Sequence, residues 1–340
     1  IYKMARLSLI IAALLSMAIT AVSGFFILPW LKRLHCGQTI KEIGPTWHNK
    51  KQGTPMMGGF MFILGSLMGT VIAYTTLRIA MPDLAQSTEV HQLVLLAVTV
   101  LTTIAFSLVG FIDDYLKAVR KQNLGLMARY KVVMQVAITT LYLISLHLLG
   151  VLSTSVSLPI FGVVDFGLAF YPIAYLFIIF MVNAVNLTDG IDGLASSVTF
   201  VAMLGFMTAA TLLGYYALGL FGAAVAGGCA GFLCWNFYPA KCFMGDTGSM
   251  YLGGAVVTLA FGIGRPELLL LFGIIYIAEA GSVVIQVLYF KLTHGKRIFK
   301  MTPIHHHFER CDWSEIKIVG AFSMVTLVGV VLGFIYLYLG

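Results

Sequence analysis

Long apolar runs broken by short polar stretches set the pattern of this chain of 340 residues. About 20 consecutive apolar residues cross the hydrocarbon core of a bilayer as an α-helix. The runs predict ten such helices, near residues 7–29, 57–77, 92–112, 131–150, 170–186, 194–213, 217–237, 249–263, 267–290 and 316–339. A membrane β-barrel would instead show segments of about ten residues with alternating polarity. The first run, Leu7 to Leu28, is too long for a signal-peptide core, and no small-residue cleavage site follows it. The fifth run is short and ends against the polar stretch from Asn186 to Asp192, which suits a helix end packed in protein rather than lipid. Residues 151–169 alternate polar and apolar about Pro159 and Gly162, predicting a small β-hairpin near 152–166. No linker, repeat or low-complexity tract interrupts the series. The expected fold class is an all-α integral membrane protein, one polytopic domain over 1–340.

Composition agrees with that pattern. Hydrophobic residues make up 59% and charged residues 10%, against roughly 25% charged in a soluble domain. This excludes soluble, disordered and disulfide-stapled secreted classes. The five cysteines form no Cys-x-x-Cys pair, which argues against a thiolate metal site or redox motif. The net charge of +7 carries topology. Seventeen of the 21 Lys and Arg follow odd-numbered helices, among them Lys117, Lys131, Lys241 and Arg310. Lys3, Arg6, Arg78 and Arg265 fall on the opposite side. The odd-numbered loops are therefore expected to be cytoplasmic, with both termini and the hairpin outside. Such a charge needs no nucleic acid to explain it, and a basic inner face attracts anionic lipid and phosphorylated substrates.

The acids change the picture more. Five of the 14 Asp and Glu lie in three short segments at cytoplasmic helix ends: Gly-Phe-Ile-Asp-Asp-Tyr (110–115), Asn-Leu-Thr-Asp-Gly-Ile-Asp-Gly (186–193) and Phe-Met-Gly-Asp-Thr-Gly-Ser (243–249). Adjacent carboxylates such as Asp113 and Asp114 repel each other unless a cation or shared proton relieves them. With Asp246 they offer the hard oxygen ligands that Mg²⁺ prefers, alongside substrate phosphates. The plainer reading of the pair is an interfacial helix terminus. Gly190, Gly193, Gly245 and Gly248 permit close backbone approach to a ligand and N–H contacts to phosphate, although neither a P-loop nor an EF-hand spacing is present.

Pro-Ile-His-His-His-Phe-Glu (303–309) occupies the last cytoplasmic loop. Consecutive side chains point apart and rarely chelate one ion, so a phosphate-facing or structural cluster fits better than zinc. His35, His48 and His294 are weaker cases of the same kind. Glu279 is the one acid well inside an apolar run, and reads as a paired packing residue or the lining of a lipid groove.

Asp113-Asp114-Tyr, Asn186…Asp189…Asp192, Phe243-Met-Gly-Asp-Thr-Gly and Met301-Thr-Pro-Ile-His-His-His-Phe-Glu309 together resemble the phospho-N-acetylmuramoyl-pentapeptide transferases. The resemblance extends to Gly44-Pro-Thr-Trp-His48 and Lys51-Gln-Gly-Thr-Pro-Met-Met-Gly-Gly59 and covers essentially the whole chain. The acidic motifs belong to the wider polyprenyl-phosphate N-acetylhexosamine-1-phosphate transferase superfamily, whereas the histidine run points to the muramoyl branch. What the resemblance implies is a Mg²⁺-dependent transfer of phospho-MurNAc-pentapeptide from UDP-MurNAc-pentapeptide to undecaprenyl phosphate. Lipid I and UMP would form on the cytoplasmic face of the bacterial inner membrane, in peptidoglycan synthesis. It also implies membrane lipid as a partner, a homodimer, and inhibition by nucleoside antibiotics.

Residue by residue, Asp246 would be the Mg²⁺ ligand, with Asp113, Asp114 or Asp192 as further candidates. Asp113 or Asp114 would deprotonate or position the lipid phosphate. Asn186, Asp189, Gly190 and Asp192 would order the nucleotide and metal region. Lys117 and Lys131 would bind phosphate, and Phe243 would stack on uracil with Asn236 nearby. His305, counted with the catalytic group, and His306 would contact the sugar-phosphate, and His307 would complete the substrate loop. Two alternatives stay open: a GlcNAc-1-phosphate transferase of the same superfamily, and a secondary transporter. A transporter would place its ionisable groups near the bilayer midplane, often within internal repeats. Here the acids cluster at helix ends.

Overall fold

The computed structural model describes residues 2–33, 53–80, 89–120, 125–158 and 161–339. His35, His48 and the motif residues 44–52 lie outside the described residues. In lipid every backbone N–H and C=O must bond within its own segment, and the apolar runs accordingly form helices. These are α1 (Tyr2–Arg33), α2 (Gly59–Ala80), α3 (Glu89–Arg120), α4 (Ala128–Leu148), α5 (Phe170–Thr188), α6 (Leu194–Leu212), α7 (Tyr216–Asn236), α8 (Gly245–Gly262), α9 (Leu268–Phe272), α10 (Ile274–Leu292), α11 (Ile304–Glu309) and α12 (Glu315–Leu339). Between α4 and α5, β1 (Ser155–Leu158) and β2 (Gly162–Asp165) pair antiparallel, Ser155 opposite Asp165, as the hairpin the alternation predicts.

Among the described residues nine helices are long and apolar enough to cross a membrane, against the ten expected. The chain is an all-α multi-pass membrane protein. The run expected at 249–263 is α8, and it differs for a physical reason. Every α8 residue except Asp246 is buried within the protein, packed by α3, α5 and α2. An interior helix needs no lipid-facing side, so Gly, Thr and Ser dilute its hydropathy. The run at 267–290 is divided at Gly273 into α9 and α10. By contrast, α1 and α12 turn Phe25, Phe26, Met324 and Val328 outward, as expected where the solvent is hydrocarbon.

Buried hydroxyl contacts fix α8 in place. Tyr142 on α4 donates to the Thr258 carbonyl (2.6 Å), Tyr251 meets Ser66 of α2 (2.7 Å), and Thr258 meets Thr103 of α3 (3.0 Å). Such bonds hold helices together where apolar packing alone cannot distinguish protein from lipid. The result is a rigid seat for the first turn of α8, which carries Asp246.

Candidate active site

The C-terminal part of α3 places Asp113 and Lys117 one turn apart, and their side chains meet at 2.5 Å. Lys131, in the first turn of α4, points to the same place. Its Nζ lies 2.9 Å from Asp246 Oδ2 and 3.9 Å from Asp113 Oδ2, while Lys117 reaches Asp246 Oδ2 at 3.2 Å. Asn186, near the end of α5, donates to Asp246 Oδ1 (3.0 Å) and Ser249 Oγ (2.7 Å), fixing the carboxylate from the other side. Three helices, α3, α4 and α5, thus converge on Asp246 of α8.

The neighbouring acids do different work. Asp113 is 3% exposed, accepts from the Leu126 N–H (2.7 Å) and keeps its other oxygen toward the lysines. Asp114 accepts three bonds from the start of α8: the N–H of Asp246 (3.2 Å), the N–H of Thr247 (2.8 Å) and the Thr247 hydroxyl (2.7 Å). The residue before α8, Met244, supplies no side-chain cap, so an acid of α3 satisfies the orphan donors of α8. Gly245 makes this approach possible. Its φ is +71°, and a Cβ there would stand 2.6 Å from Asp114 Oδ2.

Asp113, Asp114 and Asp246 each offer an oxygen within 4.8 Å of the others. Two ammonium groups face three carboxylates, so negative charge remains to attract a further cation. Hard, buried oxygen donors of this kind fit Mg²⁺ by donor type and number. Among the described residues this is the group of acids or histidines close enough to share an ion. Asp192 is occupied elsewhere: Oδ2 accepts from the Ala240 N–H (2.8 Å), and its own N–H donates to Glu315 (2.9 Å).

The loop after α5 runs beside this group. Burial first, then the carboxylates of Asp246, Asp114 and Asp192, push Asp189 up to about 8. A carboxyl raised in this way binds a proton in the folded state that the unfolded chain releases above its ordinary value near 4. Its stabilising contribution is complete at acid pH and disappears as pH rises toward 8. In metal-free detergent, the melting temperature of the unaltered protein should therefore fall relative to that of Asp189→Asn between about pH 4 and about pH 8, with no further divergence above that. Parallel melting curves for the two proteins would refute this assignment.

Other expected residues are placed less openly than the sequence implied. Asn236 is 1% exposed; its Oδ1 accepts from Gly193 N–H and Ser196 Oγ, and its Nδ2 donates to the Cys242 carbonyl. It builds the floor behind the loop and does not present a free amide. Phe243 is half-buried and tied by its backbone to Pro55 and Gly58. The three histidines, on the short helix α11, take separate hydrogen-bond partners, but contrary to expectation the rings of His305 and His306 pack together, with centroids 4.1 Å apart. His305 meets Glu279 (2.8 Å), His306 meets Glu309 (2.5 Å), and His307 Nδ1 accepts from the Lys300 N–H (3.1 Å). Sequence reasoning missed Thr247, Ser249 and Glu315. The first two stand in the same helix-opening turn as Asp246, which was the available signal.

The profile described as glycosyl transferase family 4 matches residues 96–263, from α3 to just past α8. A protein of Clostridium botulinum (strain Eklund 17B / Type B) is 42% identical over 330 residues, covering 96% of this chain and 95% of that protein. One of Halalkalibacterium halodurans is 42% identical over 320 residues, 94% of each chain. A third, from Thermoanaerobacter sp. (strain X514), is 42% identical over 327 residues, 96% of this chain and 98% of its own. All three are named phospho-N-acetylmuramoyl-pentapeptide-transferase. With near-complete overlap at that identity, and with both lysines and all three acids gathered at one centre, the chain belongs to the phospho-N-acetylmuramoyl-pentapeptide transferase family.

Proposed function

We propose that this chain transfers phospho-MurNAc-pentapeptide from UDP-MurNAc-pentapeptide to undecaprenyl phosphate, releasing UMP and forming lipid I for peptidoglycan. The observation that carries the reading is the convergence of Asp113, Asp246, Lys117 and Lys131 in a chain whose near-full-length relatives bear that activity in their names. Phosphoryl transfer is catalysed chiefly by positioning and charge neutralisation, and this centre has the groups for both.

Asp113 positions the acceptor phosphate, because Asp114 is committed to holding α8. Lys117 and Lys131 move from carboxylate to phosphate oxygens as the substrates enter, offsetting the charge that gathers around the phosphorus under attack. Asn186 keeps Asp246 oriented, and Phe243 offers a face to uracil. Asp246, with Asp113 or Asp114, would hold Mg²⁺, which when bound neutralises phosphate and the departing UMP. The Mg²⁺ requirement, the homodimer and sensitivity to nucleoside antibiotics form part of this proposal.

The deciding experiment incubates purified protein with UDP-MurNAc-pentapeptide, undecaprenyl phosphate and Mg²⁺, and looks for UMP and lipid-linked product. Product from UDP-GlcNAc instead would move the chain to the sister GlcNAc-1-phosphate transferases. The proposed location is the cytoplasmic face of the bacterial inner membrane, from the seventeen-to-four division of Lys and Arg. A single cysteine introduced within 40–50 should accept a membrane-impermeant thiol reagent only from the cytoplasmic side, and one within 152–165 only from outside. The opposite labelling would invert the topology.

A further inference from the structure

Glu279 lies within α10 and is 0% exposed. An acid inside an apolar helix is costly and is retained where it has a partner and a task. Its partner is His305 of α11, itself 1% exposed, with Nδ1 2.8 Å from Glu279 Oε2. A carboxylate only accepts, so the hydrogen of this bond is assigned to Nδ1. The other ring nitrogen, Nε2, has no hydrogen-bond partner among the described residues and no exposed surface; Glu279 Oε1 is in the same state. Nε2 abuts Gly190 so closely that an added Cβ would overlap it.

Gly190 is the middle of the turn that carries Asp189 and Asp192. Asn186 anchors the turn on one side through Asp246 and Ser249. Asp192 anchors it on the other through Ala240 and Glu315. The Asp189 carboxyl makes no side-chain hydrogen bond among the described residues, so its direction follows the backbone at 189–190. His305 is what that backbone rests on. We propose that the buried Glu279–His305 pair is a positioning device: Glu279 locks the imidazole, and the imidazole, through Gly190, sets the turn that receives the nucleotide-sugar. This inference rests on the transferase reading above. It makes His305 and Glu279 positioning residues that need not touch substrate.

The test is a mutant cycle read by steady-state kinetics with each substrate varied. Glu279→Leu and His305→Ala should each raise KM for UDP-MurNAc-pentapeptide by about tenfold or more, as loss of an orienting outer-shell partner typically does. KM for undecaprenyl phosphate should stay within about twofold of the original. The double variant should be no worse than His305→Ala alone, because Glu279 acts only through His305. Gly190→Ala, which leaves both partners intact and displaces the ring, should reproduce the phenotype even if a pair variant fails to fold. Multiplying losses in the double variant, or unaltered kinetics in Gly190→Ala, would overturn the proposal.

A second readout is independent of turnover. In ¹⁵N-histidine-labelled protein, His305 should show the Nδ1–H form in the original chain and a mixture of tautomers in Glu279→Leu, which has no acceptor. An unaltered spectrum in that variant would overturn the pair itself. An original protein that gave the expected spectrum yet no product from UDP-MurNAc-pentapeptide would refute the transferase reading and leave the pair standing.

Discussion

Asp246→Ala should lower the rate of transfer by about a thousandfold, equivalent to roughly 4 kcal/mol of barrier, while the protein still folds. The side chain lies in the first turn of α8, where Lys117, Lys131 and Asn186 all reach it. Removing it leaves Asp113 to pair with both ammonium groups, takes one of three oxygen donors from the cation site, and leaves Asn186 with Ser249 alone. None of these contacts closes a helix end, so thermal stability should change little. Measuring UMP release across a Mg²⁺ titration checks both parts. Near-original turnover at saturating Mg²⁺ would remove Asp246 from the centre of the reaction.

Asp114→Ala and Asp113→Ala should separate stability from rate. Asp114 accepts from two backbone N–H groups and one hydroxyl at the buried start of α8. Truncation strands all three, and each unsatisfied buried donor costs about 1–3 kcal/mol. The Asp114 variant should therefore lose several kcal/mol of stability and most of its activity, and Asp114→Asn, whose amide oxygen still accepts, should recover part of the melting temperature. Asp113 satisfies one backbone N–H and two lysines, so its variant should melt closer to the original while turning over about a hundredfold more slowly. Equal melting losses in the two alanine variants would contradict the division of roles described here.

The helices were legible because hydrocarbon leaves the backbone no partner outside its own segment, so each apolar run had to coil. The hairpin was legible from alternation alone. α8 was readable as apolar but not as interior, since a run of residues does not say whether lipid or protein surrounds it. The gathering of Asp113, Asp114 and Asp246 was foreshadowed by acids placed at helix ends beside glycine. Their different tasks were not. Asp114 caps a helix whose donors lie 132 and 133 residues further along the chain, and no local pattern records such a distance. Asn236 illustrates the converse: its residue type and neighbourhood suit a nucleotide contact, yet its amide is consumed by Gly193, Ser196 and Cys242. Glu279 stood out for its cost, but its partner on α11 appeared only once the chain was folded.

The enclosure of α8 also bears on how the protein is made. A helix carrying an acid in its first turn and Gly, Thr and Ser along its length gains little from lipid alone, and the hosts that surround it, α2, α3 and α5, all precede it in the chain. During synthesis from the N-terminus, those helices reach the bilayer first and form a receptacle for α8 when it emerges. The reactive centre is thus completed by entry into a prepared slot, and Thr103, far from any phosphate, forms part of that slot through Thr258. Substitutions in its walls would then register as failed integration of residues 245–262, a defect of biogenesis in a chain that still carries every residue of the reactive centre.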